Sequence, residues 1–304
     1  ILFAPLGMTS SSYRHADYVN APNKALIHVP VGDRTWAARY ERDPDAQAPA
    51  GGASSSVRDL AQWVRLHLAG GTLDGRQVID RDALATTYVP HSVSGPPAAP
   101  GAPAGFYGLG WNVSYDDRGR LRLGHSGGFE LGAATVVTIL PTEQLGIVVL
   151  TNGRPQGIPE AIGAEFFDVA DHGELTVDWL DFASAQYEQI EQAEAPAVDY
   201  SKPPAQVSPA RDLGAYLGTY DNPYYGPLTI GLDGGNLAAT MGPPGRPTTF
   251  LLTHYDGDTF SFPTIGENAN GLAGAIFTVT PDGPALAVRL DFYDRTGLGT
   301  FTRT

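Results

Sequence analysis

The spacing of apolar residues changes along this chain, and the change marks out its parts. Val57, Leu60, Ala61, Val64 and Leu68 recur every three or four residues, the spacing of one helix face. Ser56 precedes the run and Asp59 follows three residues later, a capping-box spacing with Asp in place of Glu or Gln. Gly70-Gly71 predicts the stop. A second short helix is expected near residues 80–88, after a largely irregular stretch over 1–50, and residues 94–105 read as a Pro/Gly/Ala loop. From Tyr107 the pattern becomes that of strands, with one run over 107–113, a turn at Asp116-Asp117-Arg118-Gly119, and a further run from Leu121. Residues 133–140 and 145–151 form a hairpin about Pro141-Thr142-Glu143-Gln144, and helices are expected over 158–171 and 177–191. In the last of these, Trp179, Phe182, Ala183, Gln186 and Ile190 share a face.

The pattern changes again near residue 193. Residues 193–210 hold four Pro and several Ala and read as a linker. Beyond it come about eight short strands, separated by Asn222-Pro223, Asp233-Gly234-Gly235, Pro243-Pro244-Gly245, Asp256-Gly257-Asp258, Asn270-Gly271, Asp282-Gly283 and Thr296-Gly297. Such regular turn signals predict a small antiparallel barrel or sandwich. The expected organisation is therefore a domain over 1–192, a linker over 193–210 and an all-β, lipocalin-like domain over 211–304.

Composition narrows the partners. The 304 residues carry 33 acidic and 19 basic side chains, a formal net charge of -14, which argues against nucleic acid or an anionic membrane surface. There is no Cys, so disulfides and thiolate chemistry are excluded. The seven His show no metal-ligand spacing, and neither a metal nor a cofactor is expected. No apolar run reaches the ~18 residues of a membrane span. The chain opens inside an apolar segment, residues 1–8, and reads like the interior of a larger protein.

The candidate chemistry lies in Gly124-His125-Ser126-Gly127-Gly128. As G-x-S-x-G this is a nucleophile elbow, making Ser126 the nucleophile of an α/β-hydrolase, with Asp168 and His172 or His254 as triad partners. An elbow needs a helix directly after the Ser, but β-branched runs follow here, with no helix before residue 158. The strand reading is preferred. A third reading is non-catalytic, in which the β domain is a binding module and residues 1–170 a scaffold.

Several segments in fixed order resemble the class C β-lactamase-like, penicillin-binding serine hydrolases, which include D-Ala-D-Ala carboxypeptidases, D-aminopeptidases and related esterases. These are Pro5-Leu6-Gly7-Met8-Thr9-Ser10, Gly51-Gly52 through Ser55-Ser56 to Asp59-Leu60-Ala61-Gln62-Trp63, Tyr107-Gly108-Leu109-Gly110-Trp111, the His125-Ser126-Gly127 motif and Leu150-Thr151-Asn152. The resemblance covers about residues 1–170. It implies an α+β fold, an antiparallel sheet flanked by helices, incomplete in this chain, followed by the small barrel.

The resemblance also implies a serine hydrolase acting through an acyl-enzyme on an amide or ester of a small-molecule or peptide substrate. His125 and Ser126 become substrate and proton-relay contacts and Gly127 a point of close approach. The Gly128 N–H becomes an oxyanion donor, and Tyr107 and Trp111 line the cleft. A secreted or otherwise extracytoplasmic location fits the same family. The family's nucleophile motif S-x-x-K is absent. Lys24 and Lys202, the two lysines, follow Ala21 and Asp199 at that spacing. Tyr18-Val19-Asn20 matches the letters of the family's Y-x-N motif but follows Pro5-Leu6-Gly7-Met8 instead of preceding it. The nucleophile and its Lys are therefore expected on a second chain or an N-terminal segment outside these residues.

Overall fold

The computed structural model describes residues 2–97, 99–194, 196–269, 271–281 and 283–304. The chain divides into two compact units, residues 1–191 and 192–304.

In the first unit, the periodic segment forms helix α1, Val57–Leu68. The Ser56 hydroxyl caps it by accepting from the Asp59 N–H at 3.2 Å. The Asp59 carboxylate does not complete the capping box. It is turned inward, 7% exposed, and accepts from the Ser10 N–H and the Ser11 hydroxyl, both at 2.8 Å. The N-terminal segment is thus fastened to α1 by a buried carboxylate. The predicted short helix forms over Arg81–Thr86. The stretch expected to be irregular contains a helix, His15–Asn20, and a small hairpin, Val29–Gly32 with Thr35–Ala37.

The sheet has six antiparallel strands: β1 Ser92–Gly95, β2 Gly105–Tyr107, β3 Asn112–Tyr115, β4 Leu121–Phe129, β5 Ala133–Leu140 and β6 Leu145–Thr151. Spatial order follows chain order, so β1 and β6 are the ends. The single strand expected over 107–113 is broken in two. A Cβ on Gly108 would clash with the Thr87 carbonyl oxygen, and Gly110 has φ +85°, which favours glycine. The Gly108 N–H bonds the Trp111 carbonyl at 2.8 Å, making a turn where strand was expected.

Alternation along the strands sends side chains to two faces. On one, Val113, Leu123 and Ile139 pack with Val64 of α1 and with Trp111. Burying side chains of this size stabilises by about 1.5–3 kcal/mol each. Against the other face lies helix α2, Ile158–His172, where a Cβ on Gly163 would touch Val136 at 3.5 Å. Helix α3, Trp179–Glu194, follows. Its expected common face is only partly buried: Ala183 is 8% exposed, but Phe182 is 54% and Ile190 50%.

The second unit is a sheet of nine hydrogen-bonded strands. These are β7 Gly218–Asp221, β8 Leu228–Asp233, β9 Asn236–Met241, β10 Thr248–Leu251, β11 Thr253–Asp256, β12 Thr259–Pro263, β13 Leu272–Val279, β14 Ala285–Leu290 and β15 Thr300–Arg303. β7 pairs with β15, and β10 and β11 are the formal edges. Those edges are separated by Leu252 alone, whose N–H bonds the Leu237 carbonyl at 2.8 Å. β10 and β11 are thus two halves of one bent strand, the first paired with β9 and the second with β12. Counted this way, the unit is an eight-stranded up-and-down barrel. Its inside is filled by Tyr216, Tyr220, Phe250, Phe260, Phe262, Phe277 and Phe301, among others.

The Pro/Ala-rich segment belongs to this unit instead of hanging free. Tyr200, 6% exposed, donates its hydroxyl to Asp291 at 2.6 Å, and the Ser208 N–H bonds Asp256 at 2.7 Å. The turn residues Asn270 and Asp282 lie outside the described residues, as do Ile1 at the apolar start, Ala98 in the loop and Ala195 in the linker.

Candidate functional site

The motif lies within β4, a nine-residue strand. Ser126 is flanked by strand on both sides and pairs with Val136 of β5. A nucleophile elbow requires the Ser at a strand-to-helix turn, so the geometry corrects the α/β-hydrolase alternative. The proposed triad acid is also engaged elsewhere. Asp168 accepts from the Thr176 N–H at 2.6 Å and from the Trp179 indole at 2.9 Å. The Thr176 N–H, ahead of the cost of burial, holds its carboxyl below the usual range.

β3 pairs with β4 only as far as Asn112 opposite Gly124. Residues 125–129 therefore have a strand neighbour on one side, β5, and an open backbone edge on the other. His125 and Tyr107 meet beside this edge: the Tyr107 hydroxyl is 3.0 Å from His125 Nε2, and the rings are edge-on at 6.0 Å. Leu121 and Leu123 pack towards α1, so alternation puts Ser126 on the α2 side.

On that side, Ser126, Arg122 and Gly124 line a cleft of about 200 Å³ with His125, Asn112, Ser114, Val136, Thr138 and Glu160. Gly127 and Gly128 are tight against the protein itself. A Cβ on Gly127 would lie 3.0 Å from Thr135 Oγ1, and one on Gly128 only 2.8 Å from Pro155 Cγ.

Trp111 is corrected. It is 3% exposed and stacks on Trp63 at 5.1 Å, so it is a core residue with no face open to a ligand. It belongs to a buried cluster that sequence reasoning missed. His67 rings pack against Trp63 at 4.4 Å and Trp111 at 5.1 Å, and His67 Nδ1 meets the Tyr88 hydroxyl at 2.5 Å. Burial pushes the His67 pKa down to about 4 and the Tyr88 pKa up. The signal was present, since His67 sits between Val64 and Leu68 on the apolar side of α1.

Charge braces the far end of β4. Arg120 binds Asp116 at 2.6 Å and Asp171 at 3.0 Å, and Arg118 also reaches Asp171 at 3.1 Å. The hydrogen bond from Arg120 holds the Asp171 carboxyl below its usual range. These pairs tie the turn between β3 and β4 to the end of α2. Among the described residues, no three His, Cys, Asp or Glu side chains are grouped to hold a metal ion, and no helix is long and apolar enough to cross a membrane.

Comparison with known proteins gives a match to the Beta-lactamase family over residues 2–166 and to a domain of unknown function, DUF3471, over residues 202–299. Among solved structures, the C-terminal domain of penicillin binding protein Rv0907 is 39% identical, covering 36% of this chain and 100% of that one, with TM-score 0.30. An octameric penicillin-binding protein homologue from Pyrococcus abyssi is 18% identical over 95% of this chain and 56% of that one, with TM-score 0.46. A class C beta-lactamase from Rhodobacter sphaeroides is 18% identical over 64% and 53%, with TM-score 0.38. The chain spans about half the length of the last two. No curated protein matches.

Proposed function

The chain belongs to the Beta-lactamase family, and from that premise we propose that it is the substrate-strand portion of a serine hydrolase working through an acyl-enzyme. The substrate is an amide or ester, of the peptidase or esterase type. The nucleophilic Ser and its Lys belong to a polypeptide segment outside these 304 residues, since no S-x-x-K occurs among them.

The observation that carries this reading is the open edge of β4 at residues 125–129, with His125 and Tyr107 joined beside it. In the proposed reaction the external Ser oxygen attacks the substrate carbonyl. The Gly128 N–H stabilises the resulting oxyanion, a contribution of about 3 kcal/mol for donors of this kind. The C–N or C–O bond then breaks, the leaving group takes a proton, and water later splits the acyl ester. His125, held by Tyr107, donates to the substrate or joins the proton relay. Ser126 offers a hydroxyl on the α2 side of the strand.

The test is active-site labelling of the natural protein with a fluorophosphonate or a penicillin. Label is expected on a Ser in S-x-x-K outside this chain, persisting in Ser126→Ala. Label on Ser126 itself, lost in that variant, would overturn the assignment.

A further inference from the structure

The oxyanion donor of the proposed reaction sits on two successive glycines, and glycine backbone takes up many conformations. Its direction must be fixed by neighbours. The ladder does part of this, pairing Gly127 with Thr135 and Gly128 with Ala134. The Gly132 N–H bonds the Phe129 carbonyl at 2.8 Å. Phe129 therefore faces its backbone groups towards β5, and alternation turns the Gly128 N–H to the open edge. β4 ends at Phe129, so the donor lies one residue from the point where pairing stops.

Phe129 is held from outside the sheet. The Arg42 guanidinium lies over its ring, 3.8 Å from the centroid. Arg42 Nη1 also donates to the Gly51 carbonyl at 2.6 Å, at the end of a short helix, Ala48–Gly51. A Cβ on Gly51 would lie 3.2 Å from Arg42 Nη2 and 3.5 Å from Phe129 Cζ. Gly51, the guanidinium and the ring thus form one stack, and the missing side chain at 51 leaves the guanidinium its place. The buried Pro155 backs Gly128 itself, where a Cβ would lie 2.8 Å from Cγ.

We propose that Arg42 is a positioning residue for the oxyanion donor. Through the Phe129 ring it holds the end of β4 so that the Gly128 N–H points at the reacting carbonyl oxygen. The proposal rests on the functional reading above and goes beyond it by giving Arg42 and Gly51 a part in the reaction. Such a donor accelerates the chemistry by being aimed before charge develops, and a small misplacement costs rate. Arginine suits the task because one planar group both stacks on a ring and donates in its own plane. A donor that acts in the transition state shows its loss in kcat, with KM little changed.

The test uses the natural protein, with its nucleophile-bearing segment, and p-nitrophenyl acetate as the ester. The active Ser is titrated with a fluorophosphonate so that kcat refers to folded enzyme only. Arg42→Ala should lower kcat about tenfold or more while KM stays within about twofold. Arg42→Lys, which keeps a cation over the ring, should recover part of that loss. Phe129→Leu keeps apolar bulk and removes the ring, and should lose about as much as Arg42→Ala. The double variant should lose no more than either single one, as residues acting through one contact do.

An unchanged kcat in Arg42→Ala would overturn the proposal. So would single losses that multiply in the double variant, or a raised KM at constant kcat, which would make Arg42 a substrate contact. If Arg42→Ala does not fold, Phe129→Leu decides: a tenfold loss of kcat at constant KM supports the proposal, and an unchanged kcat overturns it. If the parent protein shows no labelled Ser in S-x-x-K, the functional reading falls and this one with it. If that Ser is labelled at the parent's rate in Arg42→Ala, the positioning role falls alone.

Discussion

The two units treat the edges of their sheets in opposite ways. In the barrel, among the described residues, β10 and β11 are the formal edges and Leu252 joins them, so the sheet is nearly closed. In the first unit, β6 is an end strand and half of β4 has a neighbour on one side only. Burial does not divide them: Phe301, Tyr220 and Tyr216 are 0% exposed in the barrel, and so are Leu66, Leu123 and Ile139 in the first unit. Near-closure leaves little edge exposed, while open edges are surfaces on which other chains and substrates add. The barrel's first and last strands thus pair with each other, while the first unit keeps a sheet with two open ends.

The largest expected effect is a core truncation in the barrel, whose strands are joined round the sheet. Phe301→Ala should cost about 3–5 kcal/mol, since it empties a fully packed site. Urea unfolding of the intact chain, followed by tyrosine fluorescence, measures it, and a loss below 1 kcal/mol would break the contrast.

The next effect is a pH dependence confined to the first unit. His67 is held neutral when folded, with its pKa lowered from 6.5 to about 4 by burial. The unfolded form takes up a proton as pH drops below 6.5, while the folded form resists until about 4. The stability from the neutral imidazole is therefore intact above pH 6.5 and lost progressively down to about 4, a total of roughly 3 kcal/mol. Urea midpoints between pH 7 and 4 should fall for the first unit, and His67→Gln should flatten that slope.

A smaller effect is expected at the motif. Gly128→Ala sets a methyl against the buried Pro155 and should destabilise by about 1–3 kcal/mol. Thermal unfolding unchanged from the parent would mean that β4 yields at that point. The smallest is Ile162→Glu, which should change the stability of this chain alone by no more than about 0.5 kcal/mol. A larger loss would show that Ile162, 42% exposed on α2, is already covered, and the comparison would need redrawing.

Legibility in the sequence also divides by unit. The barrel strands could be read because Gly- and Asn-rich turns punctuate them, whereas the bend at Leu252 could not, since Leu251-Leu252-Thr253 carries no turn residue. Helix α1 was plain from its period, but the inward turn of Asp59 was hidden because its partners, Ser10 and Ser11, lie 49 and 48 residues away. At the motif, the β-branched runs after Gly128 correctly made Ser126 a strand residue. The same reasoning misplaced Trp111, because alternation shows that a side chain has a face but not which face is buried. The contact between Tyr107 and His125 spans 18 residues and two strand crossings, beyond the reach of any local pattern.

The seam between β7 and β15 has its own consequence. Tyr220 pairs with Arg303, and the Thr304 N–H bonds the Thr219 carbonyl at 3.1 Å, so the first and last strands lie side by side. Strands that adjoin in this way could be rejoined at the seam and the sheet opened at another turn such as Gly234-Gly235, with every rung of its ladder kept.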